Sequence, residues 1–387
     1  MPGRGTIEVM ANAWIEIDQR ALRANAESLR SLLDPATQLL GVVKSNAYGH
    51  GLAVVVPLLD SLVDFFGVDD FEEAVAVRAL SAKPVLILNP LAADAAEATV
   101  CRGFHQMVSS LEDIDTLAVA AEAVGTPAHV HLKVDTGMSR QGFPVGDFLV
   151  HLHEIVSREH IAIAGIATHF ANADVPGDSS VAMQHEQFRR VLDQVHAMGL
   201  RGIRHAANSA ATILEPDTHY DLVRCGIALY GIWPDQAVLQ AAPRLAVRPR
   251  VSGISLEPVL QFRTRISLIK EVAQGEGVGY GLTKRFERSS RIALLPIGYG
   301  DGYSRTLSNI SEVLIRGQRA PVVGRISMNL TTVDITDLPE VSVGDTVTLL
   351  GRSGKQEIAV EELAQRTGTI PYEIVTALPR HLPRVII

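Results

Sequence analysis

The first two thirds of the chain alternate short apolar runs with longer amphipathic stretches, and this alternation constrains the fold more than any other feature. Helical spacing is clearest at 71–80, 111–124 and 181–198. Runs with the composition of buried strands lie at 38–43, 65–68, 85–88, 105–109, 129–134, 161–167, 202–207 and 222–230. Strands that alternate with helices form a parallel sheet, and eight such units close a (β/α)8 barrel of about 250 residues. An open doubly wound sheet is the structural alternative, although its usual GxGxxG marker does not follow the first strand.

The pattern changes after about residue 245, where apolar and polar residues alternate with period two and glycine and proline turns recur. This pattern predicts a mainly β domain with one helix near 358–367. We therefore expect a barrel domain over 1–240, whose extreme N-terminus is not assigned, and a mainly β C-terminal domain over 241–387. The linker is expected at 235–248.

Composition excludes several classes of protein. The 387 residues include 35 Lys and Arg against 43 Asp and Glu, which gives a net charge of −8. So acidic a chain is a poor nucleic-acid binder, because binding phosphates requires a basic face. No apolar run reaches the ~18 residues of a membrane span, and the N-terminus lacks the apolar segment of a secretory signal. Only Cys101 and Cys225 are present, which fits a reducing cytosol, so we predict a cytoplasmic enzyme or binding protein with no nucleic-acid or membrane partner.

Lys44 ends the first predicted strand, in the segment VVKSNAYGHG. Residues at the carboxyl ends of barrel strands face the shared active site. A lysine that is partly desolvated there supplies the neutral, nucleophilic amine that Schiff-base chemistry needs. By position alone, an ordinary surface lysine at a strand end is the more common case.

The segment VVKSNAYGHG resembles the pyridoxal phosphate (PLP) attachment segment of the alanine racemase family. The remaining family motifs follow in order: LKVDTGMSRQG (132–142), ATHFANAD (167–174), HAANSAA (205–211), VRCGIALYG (223–231), VGYG (278–281), IGYGDGY (297–303), GRISMN (324–329) and PYE (371–373). The resemblance implies a PLP-dependent isomerase with a barrel and a β domain that interconverts L-alanine and D-alanine. The family supplies D-alanine for peptidoglycan precursors.

The resemblance also implies a two-base mechanism. Lys44 would carry PLP and, once freed by the substrate, act as the base for D-alanine on one face of the bound substrate. Tyr280 would be the base for L-alanine on the opposite face. In the family this tyrosine enters the site from the partner subunit, which implies a homodimer with composite active sites.

Further roles follow from the same motifs. Arg224 would donate to the pyridine nitrogen and leave it unprotonated, because a guanidinium can only donate. His205 would hydrogen-bond Arg224, and His169 would stack on the PLP ring. The remaining cofactor-binding residues, assigned mainly to the phosphate, are Tyr48, Asn208, Ser209, Gly226, Ile227 and Tyr372.

The substrate carboxylate would be bound by Arg140 and by the backbone N–H of Met328. Lys133 matches a lysine that is often carbamylated in the family, and no metal site is implied. Tyr299 and Tyr372 match residues that narrow the pocket, which favours a small substrate, alanine first and serine second.

One departure from the family pattern concerns the segment Ser327-Met328-Asn329, where the family usually has Asp at the third position. This change removes a charge beside the contact to the substrate carboxylate. Our hypothesis is a racemase with altered kinetics, pH profile or response to inhibitors such as cycloserine. Gly300, where alanine is commoner, is a minor departure.

Three other functions stay open at this point. The first is a racemase of serine or of broader amino-acid specificity. The second is a PLP decarboxylase with a similar two-domain layout, against which Arg224 argues, because such enzymes typically place an acidic residue there. The third is a PLP-carrying protein without turnover, a type that resembles an isolated barrel and lacks the β domain.

Overall fold

The computed structural model describes residues 11–243 and 254–387. The chain divides into two compact units. The barrel unit comprises Arg20–Ala47 and Leu52–Glu257, and the C-terminal unit comprises the chain up to Gln19, Tyr48–Gly51 and Pro258–Ile387.

The secondary-structure elements are numbered in chain order. The strands are β1 (Ala13–Ile17), β2 (Gln38–Val42), β3 (Phe65–Val68), β4 (Val85–Ile87), β5 (His105–Val108), β6 (Ala128–Asp135), β7 (Phe143–Pro144), β8 (Ile161–Ala167), β9 (Ile203–His205), β10 (Leu222–Cys225), β11 (Leu260–Arg265), β12 (Leu268–Val272), β13 (Gly277–Val278), β14 (Lys284–Arg285), β15 (Ser290–Leu295), β16 (Glu312–Ile315), β17 (Gln318–Pro321), β18 (Thr331–Asp334), β19 (Thr346–Ser353), β20 (Gln356–Ile358) and β21 (Arg384–Ile386). The helices are α1 (Gln19–Ser31), α2 (Lys44–Tyr48), α3 (Leu52–Leu59), α4 (Phe71–Arg78), α5 (Ala96–Cys101), α6 (Leu111–Val124), α7 (Val145–Ser157), α8 (Ser179–Ala197), α9 (Ser209–Leu214), α10 (Gln236–Ala241), α11 (Val360–Thr367) and α12 (Pro371–Thr376).

The barrel unit is built on eight parallel strands in the order β10-β2-β3-β4-β5-β6-β8-β9. Two backbone hydrogen bonds link the ends of this order, from Asp221 N to Arg204 O and from Arg224 N to Ala207 O, both 3.0 Å. The sheet is therefore a nearly closed barrel rather than an open doubly wound sheet, and the predicted fold class is confirmed.

Local sequence explains most of these elements. All four residues of β3 are buried, as expected for a parallel strand that is covered on both faces. Helix α6 begins after Ser110, whose side chain accepts from Asp113 N, and ends at Gly125 in the left-handed conformation. Both elements coincide with the ranges predicted from sequence.

The last predicted barrel strand, 222–230, is wrong in its second half. Strand β10 ends at Cys225, and Ile227–Tyr230 form a 3-10 helix. The chain leaves the extended conformation at Gly226, with φ −117° and ψ −93°. Because the residues of the 3-10 helix are apolar and buried, their composition does not distinguish it from a strand.

The turn after Lys44, helix α2, is left-handed. Ser45, Asn46, Ala47 and Tyr48 have φ between 52° and 56°. This conformation costs about 1–2 kcal/mol per residue for non-glycine residues. Contacts from outside the turn support it, because Asn46 N donates to Glu73 Oε1 at 3.1 Å and Asn46 Oδ1 accepts from Leu52 N at 2.9 Å.

The C-terminal unit is rich in β structure, as predicted. Its main sheet has the order β17-β16-β19-β11-β1-β21, and β20 pairs with β19. Strands β12-β15-β18 form a second sheet, and β13 pairs with β14. Ile15, Ile17, Phe262 and Val347 are buried in this unit. The predicted late helix corresponds to α11, whereas the short helix α12 was not predicted.

The predicted domain division at residue 240 stays a prediction. Strand β1 pairs with β11 and β21, so this N-terminal segment groups with the C-terminal unit. Helix α10 lies inside the linker predicted at 235–248, of which residues 244–248 lie outside the described residues. In the described part of the chain, no helix is both long and apolar enough to cross a membrane.

Candidate active site

The amine of Lys44 lies at the carboxyl end of the first barrel strand. It forms an ion pair with Asp69, with 2.9 Å between Nζ and Oδ1. Asp69 follows the neighbouring strand β3 directly, and its Oδ2 accepts from Asn89 Nδ2 at 2.9 Å. Lys44 was predicted, but Asp69 was missed, although its place directly after a strand is the same signal that singled out Lys44.

Arg224, on β10, is buried and donates to neutral groups. Nη1 donates to His205 Nδ1 at 2.9 Å, and Nη2 lies 3.1 Å from His169 Nδ1. Nη2 also donates to the backbone oxygens of Thr168 and Ala206, at 2.8 and 3.0 Å. Burial lowers the pKa of Arg224 to about 10, so it remains a cation at neutral pH. The structure therefore brings together Arg224, His205 and His169, and it shows the predicted hydrogen bond between His205 and Arg224.

A chain of buried histidines extends from Arg224. Because arginine can only donate, His205 Nδ1 accepts, and its Nε2 donates to His131 Nδ1 at 2.8 Å. His131 Nε2 then donates to His105 Nδ1 at 3.0 Å, and the ring of His129 stacks on that of His105. Burial lowers the pKa of His205 and His131 well below the usual value and that of His105 to about 4. All three are therefore neutral near pH 7.

The sequence did not predict this chain beyond His205. The signal was present, because His105, His129 and His131 fall within two adjacent predicted strands. A histidine in an apolar strand is more often structural than functional, however, and hydrogen-bond order along three strands cannot be derived from a single sequence.

The predicted phosphate-binding residues of the barrel meet at one corner. Ser209 Oγ accepts from Gly226 N at 3.0 Å, across the carboxyl ends of β9 and β10. Asn208 caps α9 by accepting from Ala211 N at 3.0 Å, and Ile227 begins the 3-10 helix next to Gly226. This is the usual position of a phosphate in barrel enzymes.

The end of β6 carries Lys133 and leads into the loop with Arg140. The side chain of Lys133 is buried, and burial together with the cations Arg224 and Arg140 lowers its pKa well below the usual value. Asp135 Oδ1 accepts from the backbone N–H groups of Gly137, Met138 and Ser139, at 2.8–3.1 Å. This turn shapes the loop that places Arg140 on the surface of the unit.

Two predicted phosphate ligands, Tyr48 and Tyr372, are neighbours in the C-terminal unit. Their ring centroids are 6.2 Å apart. Gly49 follows Tyr48 with φ 79°, and a Cβ there would lie 1.9 Å from Val375 O on α12. Only glycine therefore lets the segment with Tyr48 approach the helix that carries Tyr372.

Tyr280 and Met328 are exposed on the C-terminal unit, with 72% and 58% of their surface accessible. Tyr280 begins the 3-10 helix Tyr280–Leu282, between Gly279 at φ 71° and Gly281 at φ 73°. A tyrosine in such a turn is directed outward, and at this level of exposure both residues are available to another chain.

Asn329 bonds directly to a carboxylate. Its Nδ2 donates to Asp301 Oδ2 at 3.1 Å, and the same oxygen accepts from Gly298 N at 3.1 Å. The segment around Asp301 is also bound to that around Met328, because Gly300 N donates to Met328 O at 2.8 Å. A Cβ on Gly298 would lie 2.0 Å from Ser327 O, so this close approach requires glycine.

The fold is a (β/α)8 barrel with a β-rich second unit, and it places a lysine at the end of the first barrel strand and a hydroxyl beside a backbone N–H at the ends of the last two. Family models for "Alanine racemase, N-terminal domain" and "Alanine racemase, C-terminal domain" match residues 17–234 and 259–386. The chain therefore belongs to the alanine racemase family, and the predicted family is confirmed. Within the described residues, no group of three or more His, Cys, Asp or Glu could hold a metal ion.

Full-length relatives support this assignment. The alanine racemase of Symbiobacterium thermophilum is 40% identical over 382 residues, which cover 98% of each chain. The structure of the alanine racemase of Clostridium difficile matches with a TM-score of 0.91 at 33% identity, over 98% of this chain and 97% of that one. The Bartonella henselae alanine racemase, solved with covalently bound pyridoxal phosphate, matches with a TM-score of 0.84 at 31% identity, over 97% of this chain and 100% of that one.

Proposed function

We propose that this chain is a PLP-dependent racemase that interconverts L-alanine and D-alanine, with Lys44 and Tyr280 as its two bases. The observation that carries the proposal is the similarity to alanine racemases over 98% of the chain. Racemase activity follows from that similarity, and the residue roles below are inferences from the geometry and the family pattern.

The residues of the barrel unit fit PLP. Lys44 offers an amine for covalent attachment, and Arg224 offers a cation whose partners in the structure are neutral groups. Ser209 and Gly226 offer a hydroxyl and a backbone N–H at the phosphate position of barrels. We assign His169 to the face of the ring, and the pair Tyr48 and Tyr372 to the phosphate. When bound, PLP withdraws electrons from the substrate α-carbon and so makes the α-proton acidic.

Racemisation requires a proton to leave one face of the α-carbon and another to arrive on the opposite face. We assign Lys44 Nζ to the face used by D-alanine and the Tyr280 hydroxyl to that used by L-alanine. The Arg140 guanidinium and the Met328 N–H would hold the substrate carboxylate, so that the α-carbon stays between the two bases.

Lys133 fits a carbamylated lysine. Carbon dioxide adds to a neutral amine, and the depressed pKa of buried Lys133 favours that form. The resulting carbamate would carry a negative charge close to two arginine cations and would hold Arg140 in position. Carbon-13 NMR of protein in labelled bicarbonate tests this assignment, because a carbamate signal should be present and should disappear in Lys133→Met.

A homodimer would account for the exposure of Tyr280 and Met328. Both carry roles in the proposed site, and both are exposed on the C-terminal unit, as are the large side chains of Leu282, Tyr299 and Leu330. Large apolar side chains that are exposed together mark an interaction surface. We infer that each subunit supplies Tyr280 and Met328 to its partner's site, and we place the enzyme in the cytoplasm.

The assay that tests the function uses purified protein with PLP, incubated separately with L-alanine and L-serine. Rapid formation of D-alanine, with little D-serine, is the expected result by chiral chromatography. Preferential formation of D-serine would mean that serine is the substrate, and the two-base mechanism would still apply. If PLP is attached but neither substrate exchanges its α-proton in deuterated water, the protein is a PLP carrier without turnover.

A further inference from the structure

Asp69, the ion-pair partner of Lys44, lies outside every motif that indicated the function. The two residues follow adjacent strands of the barrel, β2 and β3, and 2.9 Å separates Nζ from Oδ1. About a third of each side chain is exposed, with values of 36% and 32%. The pair is thus accessible to a ligand at the mouth of the barrel while solvent screens it only in part.

Asp69 is fixed in place before any ligand binds. Its second oxygen accepts from Asn89 Nδ2 at 2.9 Å, and Asn89 O accepts in turn from Gln106 Nε2 at 2.8 Å. Asp69 N donates to Glu73 Oε2 at 3.2 Å.

Glu73 links the turn that follows Lys44 to the segment that carries Asp69. It is buried, with 6% of its surface exposed, and its Oε1 accepts from Asn46 N at 3.1 Å. One carboxylate therefore holds both the left-handed turn after Lys44 and the segment that carries Asp69. The relative position of the amine and the Asp69 carboxylate is a property of the folded barrel.

We propose that Asp69 is a positioning residue for Lys44, which holds its amine at the barrel mouth for attachment to PLP and for proton exchange. The proposal rests on the function proposed above. Asp69 acts through Lys44 and has no assigned contact with substrate.

The physical basis is the charge-assisted hydrogen bond between an amine and a carboxylate, which holds the amine in one position. Attachment would join Lys44 Nζ to the aldehyde carbon of PLP and release water, while one proton of the ammonium passes to solvent. The position of the amine therefore decides how readily PLP is captured.

The other ionisable groups around Lys44 do not replace Asp69. His169 interacts electrostatically with Lys44 and is neutral, because burial lowers its pKa. Arg140 and Arg224, which also act electrostatically on His169, would oppose a charged amine, and Glu73 is engaged by backbone N–H groups. Lys133 acts on His169 as well, and burial lowers the pKa of Lys133 well below the usual value.

The test compares Asp69→Asn with Asp70→Asn. Asp70 is exposed, changes the net charge equally, and caps α4 by accepting from Glu73 N, a role that asparagine also fills. Apoprotein is mixed with PLP over a pH series, and covalent attachment is followed by absorbance and by borohydride trapping at Lys44. We expect capture to be about tenfold slower in Asp69→Asn across the series and to stay unchanged in Asp70→Asn.

A second readout separates positioning from a folding defect. The pH profiles of kcat/KM are measured in both directions, and thermal unfolding is recorded for each variant. We expect Asp69→Glu to restore part of the wild-type capture rate. Equal capture rates for wild type, Asp69→Asn and Asp70→Asn would overturn the proposal. Because capture is measured without substrate, slower capture in Asp69→Asn of a protein that fails to racemise alanine would overturn only the function.

Discussion

At the scale of single residues, Asn329 illustrates how one substitution can be accommodated by its neighbour. Its amide donates to Asp301, which is already bound by Gly298 N. With the family's aspartate at this position, two carboxylates would face each other where one neutral amide now donates. The hypothesis of altered kinetics thereby gains a physical basis, because this contact adjoins Met328, whose N–H we assign to the substrate carboxylate.

We expect Asn329→Asp to destabilise the folded protein by about 0.5–1 kcal/mol at pH 7, measured by urea unfolding. Like charges raise the pKa of one carboxyl in the folded state, so the penalty is present at neutral pH and vanishes as the pH falls below about 4. The swapped double variant Asp301→Asn with Asn329→Asp should recover stability. Unchanged stability, rate, pH profile and cycloserine inhibition in Asn329→Asp would refute both the repulsion and the kinetic hypothesis.

At the scale of elements, the histidine chain connects three barrel strands through their inward-facing side chains. His105, His131 and His205 lie on β5, β6 and β9, and each accepts at Nδ1 in the order set by Arg224. Such a chain fixes the tautomer of every ring and holds the guanidinium in one orientation. The chain also makes the stability of the barrel depend on pH, because histidines that are neutral and buried in the folded state become protonated when the protein unfolds in acid.

The stability of the barrel should therefore fall as the pH drops below 6.5. The pKa values of His105, His131 and His205 in the folded state lie below the unfolded value. Below pH 6.5 the unfolded chain therefore binds more protons than the folded chain. The stability that is present above pH 6.5 is lost as the pH falls. At pH 5.5 each histidine that stays neutral in the folded state lowers the free energy of unfolding by about 1.4 kcal/mol, relative to its value well above pH 6.5.

The variant His131→Gln should flatten this dependence by about one histidine's share, as measured by urea unfolding between pH 5 and 8. His153→Gln, at an exposed position on α7, is the matched control and should leave the slope unchanged. A wild-type stability that does not change between pH 7.5 and 5.5 would contradict the assignment of neutral histidines.

Elements whose signal is local could be predicted, and those held by distant contacts could not. Strand β3 and helix α6 match their predicted ranges because apolar pattern and caps lie within the segments themselves. No glycine in the turn α2 indicates its left-handed conformation. The turn depends on Glu73, which lies 27 residues from Asn46 in sequence. Asp69 had the local signal of a residue directly after a strand, but its ion pair with Lys44 depends on the adjacency of β2 and β3, which the sequence does not show.

At the scale of the whole molecule, the motifs named residues in both units, and the family resemblance implied that two subunits contribute to each site. Lys44 lies in the barrel unit, whereas Tyr280 and Met328 are exposed on the C-terminal unit. The inference that resolves this is a symmetric dimer in which each site takes Lys44 from one subunit and Tyr280 from the other. This arrangement has a consequence that a single-chain site does not share.

Two inactive variants should restore each other's activity. In a mixed dimer of Lys44→Ala and Tyr280→Ala, one site loses both bases, while the other pairs an intact Lys44 with an intact Tyr280. Random exchange of equal amounts makes half the dimers mixed, so about a quarter of wild-type activity should return after subunit exchange. The double variant Lys44→Ala with Tyr280→Ala should restore neither partner. If subunits exchange, as shown by differently tagged chains, and activity stays absent, Tyr280 serves its own chain and the composite site is wrong.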